Sequence, residues 1–234
     1  MVAVFKREIK AYFFSPLGYI FIGVVFFFTG YLFYTYNLFA ATTDASSAYS
    51  RLFIVMLFMT PILTMRLLSE ERGLKTERQL FASPLSRGQI VLGKYFSAIF
   101  IYAVSISYSL INAAIISIYG KPDWPAIFGS YAGLLLLGCA LAAVCLFLSS
   151  FTGSQFISVV FGFCAALFLM LIDAISLLIG DGALQRVLLA VSFNNRYAPF
   201  ASGILDVCGI VYFLSVAALF VSLTAVMLDK RRWS

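Results

Sequence analysis

Leu17–Ala41 reads LGYIFIGVVFFFTGYLFYTYNLFAA, 25 residues without a charged side chain. A helix needs about 20 such residues to cross the hydrocarbon of a bilayer. The basic segment before it raises a secretory signal peptide, but the apolar core of a signal runs only about 7–15 residues. The stretch is therefore read as a retained membrane anchor.

The remaining chain has the same character. Of 234 residues 62% are hydrophobic, 17% aromatic and only 11% charged, with a mean hydropathy of +1.00. A soluble domain carries about 25% charged residues, and this composition holds too little polar surface to cover a soluble sphere. Soluble enzymes and nucleic-acid binders are excluded, although the formal charge is +6. The reading is an all-α integral membrane protein forming one transmembrane domain over residues 1–234.

Six spans are expected: 17–41, 47–68, 95–119, 127–151, 155–179 and 207–228. The second is the weakest, because Arg66 follows only 14 uncharged residues from Leu52 to Met65; its side chain is expected to snorkel to the headgroups. With the N-terminus placed in the cytoplasm, 12 of the 16 Lys and Arg fall on the inner side, and only Arg51, Lys121, Arg186 and Arg196 fall outside. Basic residues accumulate on the cytoplasmic side of membrane proteins, so both termini are expected there.

Three segments outside the spans carry information. Residues 1–15 form an amphipathic helix in the interface plane, with Val2, Phe5, Ile9, Tyr12 and Phe13 on one face and Lys6, Arg7 and Lys10 beside it. Ser15-Pro16 ends it. The loop 69–94 is dense in charge over Glu70, Glu71, Arg72, Lys75, Glu77 and Arg78, breaks at Ser83-Pro84, and restarts at Ser86-Arg87-Gly88-Gln89, a capping box that opens the helix into the third span. It reads as helix, turn, helix, a surface for docking another protein or a solvated connector. Residues 180–206 are too apolar for an exposed loop and too short to cross the membrane twice, which fits a re-entrant or interfacial hairpin.

Several catalytic readings fail. Gly88-Gln89-Ile90-Val91-Leu92-Gly93-Lys94-Tyr95 nearly matches a phosphate-binding loop, but Tyr95 stands where a Ser or Thr must ligate magnesium. The chain has no histidine, so His-based metal sites and intramembrane metalloproteolysis are excluded. Cys139, Cys145, Cys164 and Cys208 lack C-x-x-C spacing and read as inert buried thiols. Gly129-Ser130-Tyr131-Ala132-Gly133 and the pair Gly162 and Ala166 allow close helix approach, inside the chain or between copies. Asp173 is the one ionisable residue inside a clean span, a functional hypothesis by default. It lies roughly 27 Å along its helix from Gln155, near the outer headgroups, with Arg186 or Arg196 as expected partner. An ion- or proton-coupled secondary transporter using Asp173 is the alternative function.

Taken in order, Phe5-Lys6-Arg7-Glu8, Ser15-Pro16-Leu17-Gly18-Tyr19-Ile20, Pro61-Ile62-Leu63-Thr64-Met65-Arg66-Leu67, Glu70-Glu71-Arg72, Lys75-Thr76-Glu77, Ser83-Pro84-Leu85-Ser86, Ile90-Val91-Leu92-Gly93-Lys94, Asp123-Trp124, Gly203-Ile204-Leu205-Asp206, Val211-Tyr212-Phe213-Leu214-Ser215 and Arg231-Arg232-Trp233 resemble the ABC-2 type transporter permeases, most of all their gliding-motility-type subfamily. Many relatives carry Gly where this chain has Lys75. The resemblance implies a non-catalytic exporter subunit in the bacterial cytoplasmic membrane that binds no cofactor itself. ATP and magnesium would sit on two partner ATPase subunits. A second permease, identical or a longer gliding-type chain with an extracytoplasmic domain, would complete the pathway within the membrane lipids. It further implies that Glu70, Glu71, Arg72, Lys75, Thr76, Glu77, Arg78, Ser83 and Pro84 form the helix coupling to the ATPase, and that the N-terminal helix with Phe5, Lys6, Arg7, Glu8 and Lys10 also contacts it.

Overall fold

Ser15 and Pro16 make the first corner of the chain in a computed structural model that describes residues 1–44, 46–73, 86–178 and 182–230. Ser15 is extended and its hydroxyl accepts from the Leu17 amide at 3.3 Å, while Pro16 sits in the first turn of the next helix, where its missing N–H costs nothing. The corner separates α1 (Val2–Phe14) from α2 (Pro16–Phe33). A π turn over Tyr34–Leu38 prolongs α2.

The chain returns through α3 (Ser46–Thr64), which carries Pro61, and α4 (Arg66–Gly73) follows after a break at Met65. Thr60 and Thr64 return their hydroxyls to the carbonyls of Met56 and Thr60 at 2.7 and 3.0 Å, bonding that bends helices beside a proline. The long α5 (Arg87–Tyr119) opens on Ser86 and Gln89 with both bonds of the expected capping box. Next come α6 (Trp124–Phe151), α7 (Gln155–Leu178), the short α8 (Ala183–Val191) and α9 (Phe193–Ala201), and α10 (Val207–Lys230). Among the described residues every regular element is a helix, and six are long and apolar enough to cross a membrane: Pro16–Leu38, Ser46–Gly73, Arg87–Ile118, Trp124–Phe151, Gln155–Ser176 and Val207–Lys230.

α6 is the axis of the bundle. It touches α3, α4, α5, α7, α9 and α10, and it does so with small residues. Tyr102 of α5 lies across Gly138, and its hydroxyl donates to the Leu134 carbonyl at 3.0 Å. A Cβ on Gly133 would stand 2.6 Å from the Phe200 Cβ, and one on Gly129 would stand 2.9 Å from the Gly203 Cα. The Gly129–Gly133 pair therefore receives α9 of the same chain, with the Ser130 hydroxyl donating to the Phe200 carbonyl at 3.3 Å. Gly162 likewise receives Pro61, whose Cβ would lie 2.5 Å from an added Cβ. Both small-residue motifs serve internal packing.

The apolar segment before α10 forms two short helices that meet at Ser192, with Phe193, Tyr197, Phe200 and Ala201 buried. By contrast only 17% of the α10 span and 22% of the α7 span are buried; their exposed side chains, such as Phe156, Phe168, Leu171 and Val211, form a surface suited to hydrocarbon. One expectation is corrected here. All four cysteines are free, but Cys164 and Cys208 are exposed and only Cys145 is fully buried. An apolar membrane helix is apolar on its outer face as well, so composition does not tell which side is inside.

Gly133→Val should overpack the α6–α9 contact, costing about 1–3 kcal/mol and lowering the thermal midpoint of the purified protein. Gly88→Ala, where an added Cβ meets nothing within 4 Å, should leave it unchanged. Equal midpoints for the two variants would contradict this packing.

Candidate functional site

α1 packs along α5 and α2 through Val4, Glu8 and Tyr12, spaced one helical turn apart. Most of the apolar strip read from the helical wheel faces outward, with Val2 65% exposed and Phe13 37%, while Tyr12 turns in. The helix has two strips, an outer apolar one and an inner seam that contains a carboxylate. The seam turns inward because Glu8 finds cations there.

The approach depends on Gly93. A Cβ at that position would meet the Val4 Cβ at 3.0 Å and the Met1 carbonyl at 3.3 Å. The next residue, Lys94, is 1% exposed. Its Nζ lies 3.1 Å from Glu8 Oε1 and 3.0 Å from Glu71 Oε1. Arg7 Nη2 contacts the same two oxygens at 2.8 and 2.6 Å. Two cations and two carboxylates alternate around a closed ring that joins α1, α4 and α5. Burial would push the Glu8 carboxyl up, but the Lys94 charge and the hydrogen bonds from Arg7 and Lys94 outweigh it and hold the group below the ordinary carboxylate range.

A second set of contacts extends the ring. Arg66 Nε lies 2.8 Å from Glu70 Oε2, one turn on in the same helix, and its guanidinium sits 5.4 Å above the Tyr12 ring. Arg66 is thus paired within the chain, with a carboxylate and an aromatic face. The buried Tyr12 hydroxyl donates to the Leu63 carbonyl at 2.7 Å. Arg72 Nη1 donates to the Ser150 carbonyl at 3.3 Å and to that of Phe151, capping the C-terminus of α6 with positive charge. The Ser69 amide donates to the Ser149 hydroxyl at 3.2 Å. Arg87, at the head of α5, pairs with Asp229 near the end of α10. Through these contacts α1, α4, α5, α6 and α10 are tied together at one end of the bundle.

Of the residues expected to couple to a partner, Glu70, Glu71 and Arg72 are engaged in these internal contacts. Lys75, Thr76, Glu77, Arg78, Ser83 and Pro84 lie outside the described residues. In α1, Phe5 packs edge-on against Phe100, Lys6 and Lys10 are exposed, and Arg7 and Glu8 belong to the ring. The near-match to a phosphate-binding loop, residues 88–95, is helical throughout. Its Gly93 and Lys94 serve helix contact and ion pairing.

At the opposite end Asp173 Oδ1 accepts from the Ser192 hydroxyl, which itself accepts from the Asn195 amide at 2.9 Å and so caps α9. Among the described residues no ion pair links Asp173 to Arg186 or Arg196. Arg186 is exposed, and the Arg196 guanidinium lies 5.7 Å over the Tyr212 ring. The hairpin bend offers Asp173 a hydroxyl at close range, and the arginines point elsewhere.

The sequence pattern of the family described as ABC-2 family transporter protein matches residues 19–226, nearly the whole bundle. The chain belongs to this family. It is a multi-pass membrane permease component of an ABC transporter, and the family implies partnership with an ABC ATPase. No curated protein matches the chain. The residues that reading the ABC-2 permease's sequence missed are Gly93, Lys94 and Tyr12. Glu8 and Lys94 are 86 positions apart, and no local periodicity joins them. The available signal was a lone acid among the basic residues of α1 and a lysine one step inside an apolar helix.

Lys94→Met leaves the two carboxylates sharing Arg7 alone, and we expect a loss of about 1–3 kcal/mol; the triple change Glu8→Gln, Glu71→Gln, Lys94→Met should recover most of it. Unfolding in mild detergent measures both, and equal stability of the single and triple variants would refute the ring's role. Because Glu8 binds its proton less readily folded than unfolded, its contribution is complete above the unfolded carboxyl pKa near ~4.3 and vanishes as pH falls through the lower folded value. Glu8→Gln should therefore flatten that acid limb of the stability profile.

Proposed function

We propose that this permease is the non-hydrolysing, membrane-spanning half of an ATP-driven exporter in a bacterial cytoplasmic membrane. Two ATPase subunits, which hold ATP and magnesium, dock at the charged end of the bundle around residues 74–85, and this end faces the cytoplasm together with both termini. The pathway forms against a second permease, identical or a longer gliding-type chain with an extracytoplasmic domain. Six helices of this length close into one bundle around small residues, which favours a path between two bundles over one through the middle.

The observation that carries the reading is the ring Arg7–Glu8–Glu71–Lys94 with the Arg72 cap. Pushing on the loop between α4 and α5 moves helices that are clamped to one another, so displacement passes to the second, third and fourth spans as a rigid-body shift. The in-plane helix α1 is part of the same clamp. This division of labour sets Glu70 and Glu71 apart from the docking surface: their carboxylates are taken up inside the chain, and the charges offered to a partner are those of Lys75, Glu77 and Arg78.

Co-purification with the ATPase encoded nearby tests this. Reversing Lys75, Glu77 and Arg78 together should reduce recovery of the ATPase at least tenfold while the thermal midpoint stays within a few degrees. A single cysteine at position 78 should react with a membrane-impermeant thiol reagent only in inverted vesicles. Undiminished recovery, or labelling from the outside of intact cells, would overturn the proposal.

A further inference from the structure

At the end of the bundle remote from the charged ring, α2, α3 and α5 enclose a cavity lined by five polar side chains, Thr29, Asn37, Tyr49, Ser109 and Asn112, among apolar neighbours. Thr29 is 4% exposed, Asn37 3% and Asn112 6%. Among the described residues Thr29 Oγ1 and Asn37 Oδ1 have no hydrogen-bond partner, and the Asn112 amide makes no side-chain hydrogen bond. A buried polar group left without a partner costs about 1–3 kcal/mol, and two such atoms converging on one cavity, with the Asn112 amide beside them, mark a place built for something else to satisfy.

The backbone is shaped to present them. Phe21, Val25, Thr29, Phe33 and Asn37 form a buried series at steps of four. In a continuous α-helix each such step overshoots the turn by about 40°, and the series would rotate out of the core. The wider π turn at Tyr34–Leu38, closed by the Phe39 amide on the Tyr34 carbonyl at 2.8 Å, takes up part of that drift and keeps Asn37 inward. Asn37 is then held in orientation: its Nδ2 donates to the Asp44 carbonyl at 2.9 Å and to that of Thr42 at 3.3 Å, which leaves the carbonyl oxygen pointing away. Single π turns recur at functional sites for this reason.

The chemistry of the lining selects the ligand. Among the described residues no charged side chain lines the cavity. The nearby Arg51 is exposed and engaged with the Tyr36 ring at 5.9 Å. An ion would enter without a counter-charge at high cost, whereas hydroxyl and amide groups match a neutral partner that both donates and accepts. The inner cavity measures about 30 Å³, the room of roughly two water molecules or one hydroxyl-bearing arm. It adjoins a wider recess of about 290 Å³ that shares Phe33, Asn37 and Ile116 and adds Leu38, Thr42 and Thr43. Apolar walls with a few hydroxyls suit the C–H face of a polyol.

We propose that this is a binding site for an uncharged polyhydroxyl ligand of the glycerol or sugar class, one hydroxyl of which enters the inner cavity, donates to Asn37 Oδ1 and accepts from Thr29 or Asn112. The site belongs to a single permease chain and does not depend on coupling to an ATPase. Free sugar and a glycolipid headgroup share this chemistry, and the experiment separates them. The intact chain in phosphatidylcholine nanodiscs is titrated with tritiated glucose, and in a parallel arm with nanodiscs doped with glucosyl-diacylglycerol as competitor. The comparison is the near-isosteric variant Thr29→Val with Asn112→Leu, which keeps the structural amide of Asn37. Saturable binding by the wild type, reduced at least tenfold in the variant with an equal or higher thermal midpoint, is expected; displacement by glycolipid at far lower concentration assigns the headgroup as the source, and its absence assigns the free sugar. No saturable binding in either arm, meaning that water alone occupies the site, or equal binding by the variant, would overturn the proposal. If the variant unfolds, Thr29→Val alone is measured against the same criterion.

Discussion

A lysine ammonium removed from water has to be answered by carboxylates, and in this chain it is answered by two that come from different helices. Lys94 sits about two turns beyond the start of α5, with almost no solvent around it. Neither Glu8 nor Glu71 is its neighbour in sequence. Satisfying it brings α1 and α4 to α5, and the bound position of α1 in turn fixes the tight corner at Ser15-Pro16 and the entry of the first span. A buried ion pair adds little net stability compared with a well-packed apolar contact, but breaking one side of it is costly. It therefore specifies arrangement more than it adds strength.

The interior of the bundle is organised by a different constraint. In hydrocarbon the exposed side chains are as apolar as the buried ones, so helices associate through close packing and hydrogen bonds. α6 provides the closeness: Gly129 and Gly133 admit α9, Gly138 admits the Tyr102 ring. Tyrosine hydroxyls supply the bonds. Those of Tyr95, Tyr102 and Tyr197 each reach a backbone carbonyl of another helix, at Cys139, Leu134 and Tyr49. These three aromatic side chains are cement between helices.

Legibility from sequence differed by region. The capping box at Ser86–Gln89 and the break at Ser15-Pro16 were readable, since both depend only on residues a few positions apart. The near-match to a phosphate loop failed for a readable reason, Tyr95, and its Gly and Lys proved to have work elsewhere. The N-terminal helix and its apolar strip were readable, yet the inner seam through Val4 and Glu8 was not. The wheel ranked faces by hydrophobicity, whereas the seam was selected by the charge partners of Glu8. The same limit explains Glu70 and Glu71, which were expected to face a partner and are held by Arg66, Arg7 and Lys94, and Asp173, which meets a serine where an arginine was expected.

Length and hydropathy by themselves determine that the chain is a six-span helical membrane protein, because twenty-odd uncharged residues have one stable way to satisfy their backbone in lipid. Local chemistry determines where helices begin and turn. Which faces meet, which charges cancel, and which polar groups are left over at the remote end to await a partner are decided only in three dimensions. Those outcomes depend on distances between residues tens of positions apart, and no periodicity along the chain records them.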